Sequence, residues 1–381
     1  MKRILTIALV MVMLLCGCST TASTQPSTKS DGSSASAQQP AAKGGVTYAS
    51  QPAFVGNSDE MYFFVSWYAG NEWWVGGYEG FKDAARQLGV NTKCVGAPND
   101  SIDEQTAVLE QTIAQQPAGI SLAVSDGSSF GSVVQSALNS GIPITTTDNK
   151  IEEANPIMFM SYDDNAMTKV AADHIGQALN GKGKVAMLEV VGQTNLEKRA
   201  AAFKENMAKY WPNIKIVGSA NTGHDELKGA SDTANFLTSN PDLDFIYTLN
   251  PTAAMGAVTA IKEANSKCRV ITMDVNENVV QYIKDKKIDA AIMPDSYTFG
   301  YLSMLSLYCE KHKLLDPMWN VKLGEKSGWS VPTLEVGATV VTAENADNYK
   351  TSSYYAKRQS KGFEEGALDM KNPSLPGFWT R

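Results

Sequence analysis

Two groups of residues in this chain are placed to do chemistry on a small molecule. The first is a dense cluster of aromatic and polar side chains, Trp67, Tyr68, Asn71, Glu72, Trp73 and Trp74. The second is a set of acids and amides that each follow a short apolar, strand-forming run. Asp148 and Asn149 follow 142–147, Asn250 follows 245–249, Asp274 and Asn276 follow 269–273, and Asp295 follows 290–293. Ligands of open α/β sheets bind at the carboxyl ends of strands, so these are positions where binding groups belong. Each has a structural alternative. Asp and Asn are good helix N-caps, and Asn250, Asp274 and Asp295 each precede a predicted helix. For any one of them alone capping is the better reading, but four such ends together with the tryptophan cluster favour a shared polar pocket. The tryptophans also have a plain reading as core residues of an amphipathic helix. Adjacent helical residues point about 100° apart, so Trp73 and Trp74 cannot both face one core.

Other chemistries find little support. Asp148, Asp274 and Asp295 invite comparison with the carboxylate pair of a glycosidase, yet acids on separate lobes serve equally for hydroxyl binding, which needs no tuned pKa. No G-x-S-x-G elbow occurs, and no His, Cys or Ser is set out as a nucleophile with its base. Gly181-Lys182-Gly183-Lys184 precedes a strand instead of following one, which makes it a turn and not a phosphate cradle. The histidines, His174, His224 and His312, have no metal-ligand neighbour at useful spacing. No metal and no cofactor is expected.

Positioning the binding groups requires strands and helices in alternation. Residues 62–66 are a run of strand formers, and Trp74, Tyr78, Phe81, Ala85 and Leu88 follow at helical spacings of three and four. A strand therefore feeds a helix through the tryptophan-bearing loop. The same alternation predicts strands at 91–95, 119–124 and 142–147, with helices at 103–115 and 130–139. It restarts with a helix at 165–179 and a turn at 181–183. Strands at 184–189, 214–219, 245–249 and 269–273 then alternate with helices at 196–210, 226–238 and 253–264. Such alternation implies parallel sheets with crossover helices, and right-handed crossovers put every strand's carboxyl end on one edge. The fold class is α/β, with two similar halves that are each a doubly wound parallel sheet.

At 381 residues the chain is long enough for two such lobes. Ahead of them, Lys2 and Arg3 precede an apolar run at 4–15, too short to span a bilayer and formed like a secretory signal. Gly17-Cys18 looks like a bacterial lipoprotein processing site, with cleavage before Cys18 and lipid on its sulfur. A plain signal peptide with an incidental cysteine is the alternative. Residues 1–17 are then the signal peptide, and 18–57, rich in Ser, Thr, Ala, Gln and Pro, a flexible tether holding a soluble domain near a membrane. Cleavage leaves 31 of the 33 basic side chains against 40 acidic ones, a net charge of −9. That balance argues against nucleic acid as a partner and against broad docking on anionic lipid. Cys94, Cys268 and Cys309 are an odd set at wide spacing, read as small buried hydrophobes, with a Cys94–Cys309 bridge as the alternative.

On these residues the chain resembles the bacterial extracytoplasmic sugar-binding proteins of the ribose and galactose type, which serve ABC importers. The resemblance covers roughly 61–345. That family follows its first strand with Asn-Pro-aromatic-aromatic, and this chain reads Asn71-Glu72-Trp73-Trp74. The family's fourth strand ends in Asp-Arg, and here Asp148 and Asn149 stand in that place. Arg199, ahead of Ala202-Phe203, is similar in position to an arginine that reaches the sugar, and His224 to an aromatic just before a helix start at Asp225. Asn250 and Asp274 match the family's binding Asn and Asp. A glutamine expected near Met293 is replaced by Pro294, with Asp295 beside it. The resemblance implies a three-segment hinge with crossings near Tyr162, Pro294 and Pro332 and a ligand cleft between the lobes. Lobe one is then 58–162 plus 295–331, and lobe two 163–294 plus 332–348. A C-terminal extension, 349–381, carries Tyr354, Tyr355, Phe363, Phe378 and Trp379, expected to pack along a lobe surface, with a partner contact as the alternative.

The function this implies is capture of a sugar and delivery to the transmembrane subunits of an ABC permease, by a monomer held outside the cytoplasm through lipid on Cys18. Aromatic faces cover the C–H face of a sugar while Asp, Asn and Arg take its hydroxyls. A sensor presenting its ligand to a receptor kinase or chemoreceptor would use the same pocket, and a surface glycosidase is the reading from another class. A repressor is excluded, because a signal and tether occupy the place of a DNA-reading module. Large indole faces, with Asn149 in place of the family's arginine, suit a hexose derivative or short oligosaccharide, with Trp73 as the main stacking residue.

Overall fold

The structure is a computed structural model that describes residues 54–69, 73–314 and 331–349. Strand β1 (Met61–Tyr68) shows how each lobe is built, because its alternate side chains are buried on opposite faces. Tyr62 and Phe64 pack with α1 (Trp73–Leu88) and α9 (Ser296–Lys311). Phe63 and Val65 pack with α2 (Ile102–Ile113) and α3 (Gly131–Asn139). A sheet covered on both faces explains why its strands read as continuous apolar runs. Helices α1 and α9 touch backbone to backbone: a Cβ on Gly300 would run into the carbonyl oxygen of Gly77.

The first sheet also contains β2 (Asn91–Ala97), β3 (Gly119–Val124), β4 (Ile144–Asp148), β5 (Met158–Tyr162) and the late strand β11 (Thr333–Val336), in the order β11-β5-β4-β3-β1-β2. All its pairings are parallel. The second sheet repeats the plan with β6 (Gly183–Glu189), β7 (Ile214–Asn221), β8 (Phe245–Thr248), β9 (Arg269–Met273), β10 (Ala290–Pro294) and β12 (Ala338–Val341), in the order β12-β10-β9-β8-β6-β7. Only its edge strand β12 runs antiparallel, against β10. Val185 and Met187 of β6 pack toward α4 (Asp164–Ala178) and α5 (Thr194–Tyr210). Ala186 and Leu188 pack toward α6 (Glu226–Ser239), α7 (Pro251–Glu263) and α8 (Glu277–Lys284). Two doubly wound lobes with the same strand order result, and each brings its ligand-facing edge to the carboxyl ends of its strands.

Two expectations need correction. The chain does not leave the first sheet at Pro332: Thr333 to Val336 pair in parallel with β5, and the change of sheet comes at Gly337, just before β12. Proline lacks only its own N–H, so it is tolerated immediately before a strand, and its carbonyl accepts from Phe159 N at 2.8 Å. The three cysteines among the described residues are free, and only Cys268 of them is buried; Cys309 is half-buried and Cys94 exposed. Cys94 lies on the edge strand β2, whose middle residues face outward, and no Cys94–Cys309 bridge forms. Among the described residues no helix is long and apolar enough to cross a membrane. The signal segment with Cys18, most of the tether, Asn71 and the extension beyond Tyr349 lie outside the described residues.

Candidate functional site

The carboxyl ends of the two sets of strands line one cavity of about 300 Å³. From the first lobe come Trp67 and Tyr68 at the end of β1, Trp73 and Trp74 in the first turn of α1, Asp148, and Tyr162 at the end of β5. From the second come Asn195 and Arg199 in α5, His224, Asn250, and Asp274 with Asn276 after β9.

The two adjacent tryptophans divide as helix geometry requires. Trp74 is 3% exposed and belongs to the first lobe's core, with its ring 5.7 Å from that of Phe64. Trp73 stands edge-on to Trp74, centroids 4.3 Å apart, and reaches across the cleft. Its Nε1 donates to Asp274 Oδ1 at 3.2 Å, linking residues on opposite lobes.

Asp148 and Asp274 occupy equivalent places, each closing the fourth strand of its sheet, and each has a left-handed backbone, φ 67° and φ 63°. Aspartate is among the few non-glycine residues that adopt this conformation readily. Burial pushes the Asp148 carboxyl up to about 7, against the opposing pull of the Tyr162 hydroxyl and Arg199. Tyr162 donates to Asp148 Oδ1 at 3.2 Å. Asp274 is also raised by burial, with Arg199 and the Trp73 indole pulling it down.

Arg199 is the only guanidinium lining the cavity among the described residues, and its side chain is 3% exposed. Its Nε lies 3.2 Å from Asp164 Oδ1 and its Nη1 4.0 Å from Asp274 Oδ1, while its Cζ sits 4.9 Å from the centre of the Tyr162 ring. Burial works against the Arg199 charge, but Tyr162, Asp274 and Asp164 outweigh it and hold the proton more firmly than on a free guanidinium. Asp164 itself is raised by burial, with Arg199 opposing.

The capping alternative decides three of the remaining positions. Asn250 lines the cavity but caps α7, its Oδ1 accepting from Ala253 N at 2.9 Å and its Nδ2 donating to the Gly223 carbonyl at 2.9 Å. Asp295 caps α9 through Thr298 N at 3.0 Å and does not reach the cavity. Asp274 is no cap; Asn276 takes that role for α8 through Val279 N at 2.9 Å. Asn149 also lies outside the cavity, since its Nδ2 donates to the carbonyls of Val124 and Ser125 and ties two strand ends together. His224 is exposed and pairs with Gln193 Oε1 at 3.3 Å.

Sequence reasoning missed Asn195, Tyr162 as a lining residue, and Asp164. Asn195 lies four residues before Arg199 on one helix, so helical spacing alone places both on one face. Its side chain is 8% exposed, and its Oδ1 has no partner among the described residues. Nothing local announced Asp164, which meets Arg199 only through the packing of α4 on α5.

Residues 62–309 match the model of a family described as the periplasmic binding protein domain. The chain is similar to a ribose import binding protein of Bacillus subtilis, 28% identical over 234 residues that make up 61% of this chain and 75% of the relative. Among solved structures it is similar to an arabinose binding protein from Geobacillus stearothermophilus, with a TM-score of 0.71 and 26% identity over 77% of this chain and 100% of that one. It is equally similar to the sugar-binding protein of a sugar ABC transporter from Bacillus halodurans, with a TM-score of 0.72 and 26% identity over 76% of this chain and 100% of the other.

Proposed function

The chain belongs to the periplasmic binding protein family, and from that premise we propose that it captures a sugar between its lobes and delivers it to an ABC import permease. The observation that carries this reading is a single cavity built from both lobes, with Trp73 on one side and Arg199 and Asp274 on the other. Such a site offers a flat apolar face together with directed acceptors and donors, the pairing that a sugar ring with its hydroxyls demands. Ligand groups shared between two lobes are all satisfied only when the lobes meet, so closure reports occupancy to the permease.

The preferred ligand in this proposal is a hexose derivative or short oligosaccharide, with Trp73 as its stacking surface. Cys18 carries the lipid that holds the protein outside the cytoplasm, and the protein works as a monomer. Among the described residues, the lobes are 58–162 with 295–314 and 331–336, and 163–294 with 338–348, a division supported by the sheet pairings. Titration calorimetry over pentoses, hexoses and disaccharides tests the proposal. A sugar should bind, and Trp73→Ala should weaken it by about 2 kcal/mol or more, as loss of a central aromatic anchor does. Absence of binding across the panel refutes the sugar reading. A Trp73→Ala variant that binds as well as the parent refutes the stacking role.

A further inference from the structure

Arg199 reaches the cavity from α5 with its donors divided. Its Nε donates to Asp164 Oδ1 at 3.2 Å. The Nη nitrogens make no hydrogen bond among the described residues, and Nη1 stops 4.0 Å from Asp274 Oδ1, beyond hydrogen-bonding distance. Asp164 is not part of the cavity lining, so it can act on a ligand there only through Arg199. It is also held in place independently of the cleft. Asp163 caps α4, accepting from Asn165 N at 2.9 Å and Ala166 N at 3.0 Å, which fixes the turn that carries Asp164. Asn206, 2% exposed, donates from α5 to the Asn165 carbonyl at 2.8 Å and to Thr168 Oγ1 at 3.0 Å. That turn is thereby riveted to the helix bearing Arg199.

A buried guanidinium beside a carboxylate tends to close on it as a fork, with two parallel hydrogen bonds. Such closure of Arg199 on Asp274 would consume donors and acceptors that the sugar reading assigns to hydroxyls. The Nε bond to Asp164 works against it, with the Tyr162 ring covering the guanidinium at 4.9 Å. We infer that Asp164 is a positioning residue, which holds Arg199 by Nε and keeps its Nη donors available to the ligand. The inference rests on the reading of Arg199 as a sugar-binding group of this cleft.

Two measurements on the full chain test it, with Asp164→Ala and Asp164→Asn beside the parent. The first, nuclear magnetic resonance of arginine side chains, needs no ligand. The Arg199 Nε–H signal, assigned by its loss in Arg199→Lys, should exchange slowly with solvent in the parent and should shift and exchange faster in Asp164→Ala. The second is calorimetric titration with D-ribose, D-arabinose, D-allose, D-glucose, D-galactose and lactose. Any sugar the parent binds should bind Asp164→Ala roughly ten-fold or more weakly, the scale of a hydrogen bond to a charged group. Asp164→Asn, which keeps an acceptor for Nε, should recover most of that loss. Asp164→Ser, too short to reach Nε, replaces the alanine variant if urea unfolding shows that it does not fold. An Nε–H signal unchanged in the alanine variant overturns the contact. Parent-like affinity in that variant, or an asparagine variant as weak as it, overturns the positioning role while the sugar reading stands. Binding of none of the six by the parent overturns the sugar reading and the inference with it.

Discussion

Asp148→Asn should stabilise the protein in the absence of ligand, and only at high pH. The folded protein holds the Asp148 proton up to about pH 7, against 3.8 for an ordinary aspartate. The native state therefore binds an extra proton between these two values, and its stability falls as pH rises through that window. At about 1.4 kcal/mol for each tenfold change in acidity, the ionised carboxylate costs roughly 4 kcal/mol by the time pH exceeds 7. Asp148 is partly open to the cavity, and solvent screening there reduces the effect to about 2 kcal/mol. Asparagine carries no charge and can still accept the Tyr162 hydroxyl. Urea unfolding of parent and variant should give equal stabilities near about pH 4, where both side chains are neutral in the fold, and a variant more stable by about 2 kcal/mol near about pH 8. An advantage that does not grow with pH, or a variant less stable than the parent at the higher pH, would refute the account of Asp148 as a buried, poorly compensated acid.

Asp274→Ala and Asn250→Ala should each weaken sugar binding by roughly 1–3 kcal/mol in calorimetry, but they should part in urea unfolding: loss of the Asn250 cap costs about 1 kcal/mol, whereas Asp274 caps nothing. Equal effects on unfolding would contradict that division. Gly300→Ala should destabilise the first lobe by roughly 3 kcal/mol, because the new methyl meets the Gly77 backbone, which has no side-chain freedom to yield; a wild-type unfolding midpoint would contradict the close contact of α1 and α9. Cys18→Ala should move the protein from the membrane fraction to the soluble one with ligand affinity unchanged, and retention on the membrane counts against the lipid anchor.

Much of the scaffold is legible in the sequence because its information is local. The apolar runs that become β1, β3, β6 and β9, and the helical spacing of Trp74, Phe81 and Leu88, are short-range patterns set by burial on both faces of a sheet. Asp148 and Asp274 were visible for the same reason, as polar residues ending such runs. What escaped depends on partners far along the chain. Arg199 meets Asp164 across 35 residues and Trp73 meets Asp274 across 201, separations at which no pattern survives. Asn149 and Asp295 show that a strand end needs its own polar satisfaction: the Asn149 amide donates to neighbouring carbonyls, Asp295 caps a helix, and neither lines the cavity. Pro332 misled because a proline that ends one strand pattern can equally precede another.

The crossings between lobes also set an order in time. The second lobe draws β6 to β10 and α4 to α8 from one unbroken stretch of chain and waits only for its edge strand β12. The first lobe, although it begins earlier, cannot cover the face of β1 that bears Tyr62 and Phe64 until α9 arrives, nor finish its sheet edge before β11. A chain emerging from its N-terminus therefore exposes an incomplete first lobe while the second is already able to close. The lobe encoded first is completed last, and its uncovered apolar face is the surface most in need of protection while the chain is being made.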